Sequence, residues 1–174
     1  MPDLRPAEIL ISEEQIQKRV GELAAEIRRE FPNDLHMVAV LKGAFVFLSD
    51  LARHMSGQVS LDFMAVSSYA KGTTTSGEVR LLKDLDTTLD RKNVVIVEDI
   101  VDTGLTLMYL REILKARGPG SLRTACLLSK PSRRVVDVEV DYVGFTIPDR
   151  FVVGYGLDYA EQYRNLPYIA VVEP

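Results

Sequence analysis

Residues 93–107 read NVVIVEDIVDTGLTL and set Glu98, Asp99 and Asp102 directly before Thr103, Gly104 and Thr106. Taken singly, acids at a strand end face water, and Thr or Asp ahead of a helix caps it. Taken together they can do more. Free amides at a helix start, aided by the helix dipole, form an anion site. Gly104 lets the backbone come close to an anion, and the Thr103 and Thr106 hydroxyls add donors. Three carboxylates would repel a phosphate unless they meet something else: sugar hydroxyls, a divalent cation, or a proton to be removed. A phosphorylated sugar with Mg²⁺ satisfies every group at once. Asp-Thr-Gly is also the catalytic tripeptide of aspartic proteases, but there it lies in an all-β fold where two such aspartates share a proton. Here it opens a helix, which argues against that chemistry.

These groups need a strand that ends at them and a helix that starts from them. The apolar, β-branched run 93–99 predicts a buried strand, and LTLMYLREILKAR predicts a helix stopped by Gly-Pro-Gly. The rest of the chain continues the theme. Ser12 and Gln15 have capping-box spacing, followed by apolar residues from Ile16 to Phe31 at helical spacing. LHMVAVL (35–41) predicts a strand, AFVFLSDLARHM a helix, VSLDFMAVSSY a strand and VRLLKDL a further strand. SLRTACLLS predicts a strand, VDVEVDYVGFTI continues the alternation, and FVVGYGLDY and YIAVVE predict short late strands. Alternating strands and helices indicate an α/β fold with a mostly parallel central sheet flanked by helices. Ligands of such sheets bind outside the carboxyl ends of the strands, where the acids lie.

Composition bounds the function. The 174 residues suit a single domain, and 47% apolar content suffices for a full core. A net charge of -4 argues against general nucleic-acid binding. Cys126 is the only cysteine, so no internal disulfide forms and the residue reads as a small buried hydrophobe. No signal peptide or membrane-length apolar run is evident, so a cytoplasmic location is expected. His36 and His54 are too few and too scattered to propose as ligands.

VVIVEDIVDTGLT closely resembles the phosphoribosyl-pyrophosphate (PRPP) loop of type I phosphoribosyltransferases, and residues 10–172 resemble the hypoxanthine-guanine branch. The resemblance implies that family's fold, with 1–174 as one domain and a small hood built from N- and C-terminal segments. The purine-binding part of the hood is expected at about 145–174. It implies transfer of the phosphoribosyl group of PRPP to hypoxanthine or guanine, giving IMP or GMP and pyrophosphate. Asp102 would be the general base. Glu98, Asp99, Asp102, Thr103, Gly104, Leu105 and Thr106 would bind the sugar and its 5′-phosphate, although several relatives have lysine where Leu105 stands. VLKGAFVFLSDL resembles the first loop, in which Lys42 and Gly43 would meet pyrophosphate, together with Arg164; whether the peptide before Lys42 is cis stays open. SSYAKGTTTSGEV resembles the mobile catalytic loop, beginning at Ser68 and Tyr69. LLSKPSRR resembles the purine-reading segment, with Lys130 as reader. In the hood, Phe151 would stack on the purine and Val152 would offer backbone groups to its edge. Asp158 would serve the purine edge or a second metal, making Glu98, Asp99 and Asp158 the Mg²⁺ ligands. A homodimer or homotetramer is implied, with no nucleic-acid or membrane partner.

Read without the family, Lys42-Gly43 is a strand-to-helix turn, Phe151 is core, and Lys130 and Arg164 are solvated charges. A regulator that binds PRPP or nucleotides without turnover is the competing class. Such proteins commonly lose the general base, and Asp102 is present.

Overall fold

The computed structural model describes residues 5–68 and 79–173. Its elements are β1 (Arg5–Ile11), α1 (Glu13–Glu30), β2 (Leu35–Leu41), α2 (Phe45–His54), β3 (Val59–Ser68), β4 (Val79–Lys83), β5 (Asn93–Val101), α3 (Leu105–Lys115), β6 (Ser121–Ser129), β7 (Tyr142–Thr146), β8 (Val152–Val153) and β9 (Ile169–Glu173). A six-stranded sheet has the order β4-β3-β2-β5-β6-β7, and a separate three-stranded sheet has the order β1-β9-β8. Strands β3, β2, β5, β6 and β7 pair in parallel, while β4 runs antiparallel at the edge.

Strand alternation divides the core. Met37 and Ala39 of β2 and Val95 and Val97 of β5 face one layer, with Ile16, Val20 and Leu23 of α1 and Phe47, Leu48 and Leu51 of α2. Val38, Val40, Val94 and Ile96 face the other, with Leu107, Leu110 and Leu114 of α3. With both faces covered, β2 and β5 must be apolar throughout, as their sequences are. The small sheet adds Val152, Ile169 and Val171 to the α1/α2 layer.

The capping box at α1 forms: Ser12 N donates to Gln15 Oε1 at 2.8 Å, and Gln15 N to Ser12 Oγ at 3.3 Å. The run 136–147 departs from expectation, because only Tyr142–Thr146 pairs as a strand. Val138 and Val140 instead pack against the α3 layer, so their alternation serves a side contact rather than a ladder. No helix lies between β6 and β7 among the described residues; a 3-10 turn at Pro131–Arg133 makes the connection.

A buried carboxylate pins the edge. Asp62, 3% exposed, accepts hydrogen bonds from Phe63 N, Asp86 N, Thr87 N and Thr87 Oγ1. Burial alone would raise its pKa, but these donors outweigh it and hold the carboxyl below its ordinary value. A depressed folded pKa contributes stability that is present above the unfolded value and lost as pH falls through the folded one. Asp62→Ala is therefore expected to cost about 2–3 kcal/mol near neutral pH by orphaning buried donors. In urea unfolding the difference from wild type should narrow as the medium is acidified; a constant difference would show that the charge contributes nothing.

Candidate active site

Turns at the carboxyl ends of β2, β5 and β6 converge with the small sheet. Strand β5 runs on to Val101, and α3 starts after Gly104, whose φ of 84° is left-handed. Glycine suits this N-cap for two reasons. The dihedral is strained for other residues, and a side chain there would press on Val136 and Val138. Asp102 Oδ1 accepts from Thr103 N at 2.6 Å, and Leu105 N reaches Thr103 Oγ1 at 3.4 Å. Glu98, Asp99, Asp102, Gly104 and Thr106 line a recess of about 180 Å³. Larger hollows of about 850 Å³ beside α3 and about 750 Å³ at the amino ends of β2 and β3 exist. Neither gathers these acids at a helix start, so size does not decide between them.

Glu98 and Asp99 are neighbours on a strand, so their side chains diverge to opposite faces. Burial drives the Glu98 carboxyl well above its ordinary pKa, and Asp99 adds to the rise. Burial also raises Asp99, to about 6, against the pull of the Ile100 N–H and Arg164 and with a further push from Asp158. A side chain at Gly43 would overlap the Asp99 carboxylate, and one at Gly156 would overlap the Gly43 carbonyl. The β2–α2 turn thus meets Asp99 on one side and the loop after β8 on the other. The Leu41–Lys42 peptide is cis. Lys42 Nζ pairs with Glu161 Oε2 at 2.7 Å, both side chains being well exposed.

Arg164 is held by Asp158 Oδ1 at 2.9 Å and donates to Gly156 O at 2.8 Å; its Nε is buried without a partner. The expected trio Glu98, Asp99 and Asp158 does not assemble. Among the described residues no group of three His, Cys, Asp or Glu side chains could hold a metal ion. The divergence of Glu98 and Asp99 and the pairing of Asp158 with Arg164 are the reasons. Each acid, on its own side of β5, still offers an oxygen donor of the kind a hard cation takes, and both line the recess.

Lys130, which could have been a surface residue, is 8% exposed. Its Nζ donates to Arg150 O at 2.6 Å and lies 3.9 Å from Asp149. Burial lowers its pKa, opposed by Asp149 and by Asp102, and its backbone N donates to Val101 O at 3.0 Å at the start of the β5–α3 turn. Phe151 is not core: it is 53% exposed and meets Tyr159 edge-on at 5.9 Å between centroids. Val152 is buried in β8. Ser68 is the last residue of β3, and Tyr69 lies outside the described residues, as does the rest of the loop to 78. Cys126 is buried, with its thiol pushed up to about 12 by burial. Sequence reasoning missed Arg134, whose guanidinium meets the carbonyls of Val101 and Asp102 at 2.7 and 2.5 Å. Only the pair of arginines after Pro131 could have hinted at it.

A family model described as the phosphoribosyl transferase domain matches residues 8–160. The hypoxanthine-guanine phosphoribosyltransferase of Bacillus subtilis is 52% identical over 95% of this chain and 93% of its own length. That of Streptococcus mutans is 48% identical over 95% and 92%. A crystal structure of a hypoxanthine-guanine phosphoribosyltransferase from Bacillus anthracis superposes with a TM-score of 0.93 at 50% identity, covering 99% of this chain and all of that one.

Proposed function

Because the chain belongs to the phosphoribosyl transferase domain family, we propose that it is a purine-salvage enzyme joining hypoxanthine or guanine to PRPP. The anomeric C–O bond to pyrophosphate breaks, a C–N bond forms to purine N9, and the N7 proton passes to the Asp102 carboxylate. The transition state is oxocarbenium-like, as in glycoside transfer. The observation that carries this reading is the convergence, at the ends of β5 and β6, of an anion-suited helix start, an acid pair and a buried lysine.

Each group has a task. Thr103, Gly104, Leu105 and Thr106, with the amide of Asp102, cradle the 5′-phosphate. Glu98 and Asp99 meet the ribose hydroxyls and Mg²⁺. Lys42, Gly43 and Arg164 receive pyrophosphate. Phe151 stacks on the purine, Val152 binds its edge through the backbone, Lys130 reads O6, and Asp158 holds Arg164 in place. Residues from about 145 onward, with β1, form the purine hood. When bound, Mg²⁺ supplies positive charge to the departing pyrophosphate. We place the enzyme in the cytoplasm as a homodimer or homotetramer.

Purified protein should release pyrophosphate from PRPP only when hypoxanthine or guanine is added. Binding of PRPP without any turnover would instead identify a regulator. The metal is expected to bind through PRPP, because Glu98 and Asp99 are too few for a tight protein-held Mg²⁺ site. Calorimetry should record weak Mg²⁺ binding to the free protein and much tighter binding with PRPP present. Tight binding to the free protein would overturn this role for the pair.

A further inference from the structure

The β5–α3 turn is held from outside as well as by its own hydrogen bonds. Nη1 of Arg134 donates to the carbonyls of Val101 and Asp102 at 2.7 and 2.5 Å, and Nη2 to Ser129 Oγ at 3.1 Å. Two backbone amides of the same segment join in: Lys130 N donates to Val101 O at 3.0 Å, and Val135 N to Thr103 O at 3.1 Å. Carbonyls of three successive peptides are therefore drawn to one side. In a planar trans peptide the N–H points opposite to the C=O. Capturing the carbonyls of 101, 102 and 103 thus aims the amides of 102, 103 and 104 the other way. The Thr103 amide, at 2.6 Å from the Asp102 carboxylate, shows that direction.

We propose that Arg134 is a positioning residue for phosphoribosyl transfer, orienting the 101–104 peptides so that the amides of Asp102 and Gly104 face the 5′-phosphate while that of Thr103 holds the Asp102 carboxylate toward the purine. The inference rests on the function proposed above. It also gives the segment after β6 a double duty, since Lys130 and Arg134 leave the same short stretch toward the purine and the phosphate turn. Lysine cannot replace the arginine, because one ammonium on a shorter stem does not reach two carbonyls and a hydroxyl in a fixed fork.

Steady-state kinetics of Arg134→Ala and Arg134→Lys test this. Loss of charge-assisted hydrogen bonds should lower kcat/KM for PRPP by about 10- to 100-fold in Arg134→Ala, with a smaller loss in Arg134→Lys. KM for PRPP should rise and kcat should fall, while KM for hypoxanthine stays unchanged. Millimolar guanidinium chloride should restore part of the Arg134→Ala activity and leave wild type unaffected. Should Arg134→Ala fail to fold, Arg134→Lys decides alone: wild-type kcat/KM for PRPP in that variant overturns the inference. A folded Arg134→Ala that is fully active, or impaired equally toward both substrates without guanidinium rescue, does so too. An inactive wild type would instead sink the proposed function itself.

Discussion

Asp102→Asn is expected to slow IMP formation by about 10²–10⁴-fold, the usual cost of losing a general base. The exchange is nearly isosteric. An asparagine Oδ1 can still accept from the Thr103 amide, so the contact seen at 2.6 Å survives. The Val101 and Asp102 carbonyls keep their Arg134 partner, so the turn keeps its shape. PRPP should therefore still bind. What disappears is a carboxylate able to take the purine N7 proton. Turnover on hypoxanthine at the wild-type rate would remove Asp102 from the mechanism.

Lys130→Met should depress kcat/KM for hypoxanthine sharply, and the relative disadvantage of adenine should shrink. The lysine ammonium is a donor without acceptor capacity, so it favours the O6 of a 6-oxopurine and meets a mismatched amino group in adenine. Sites built around such a bond can discriminate by roughly 10⁴–10⁵ at best. The structure strengthens the case, because the side chain is almost fully buried and its Nζ is fixed on Arg150 O. Methionine keeps the length and fills the space but leaves that carbonyl without its donor. If the variant keeps both its efficiency and its exclusion of adenine, selection resides in the backbone around Val152.

The parts that sequence reveals are those coded locally. The capping box before α1, the unbroken apolar run of β5 and the glycine opening α3 each have a signal within a few residues; α1 and α3 start where their signals put them, while β5 runs past the expected end at Asp99 to Val101. The turn carrying Glu98, Asp99 and Asp102 could be singled out for the same reason. Features coded by distant contacts were hidden. Val136 and Val138 alternate like strand residues but cover Gly104. Arg134 finds acceptors 32 and 33 positions away, on backbone atoms that leave no mark in side-chain pattern. Asp158 looks like a free metal ligand until Arg164 folds back onto it. Antiparallel β4 has the same alternation a parallel edge strand could have.

The pairing of β1 with β9 joins Arg5 to Glu173 and Ile11 to Ile169. Every other described element, from α1 to β8, lies between these two strands in the chain. Ring closure over so long an intervening chain carries an entropy cost that short-range contacts do not. The parallel sheet from β2 to β7 can assemble before that closure, because all its strands precede residue 147. The surface carrying Phe151 and Val152 is consequently completed only once β9 can pair with β1 and β8. A chain made only as far as β7 would hold the β5–α3 turn without the Phe151 surface, so the two parts of the candidate site form at different stages of folding.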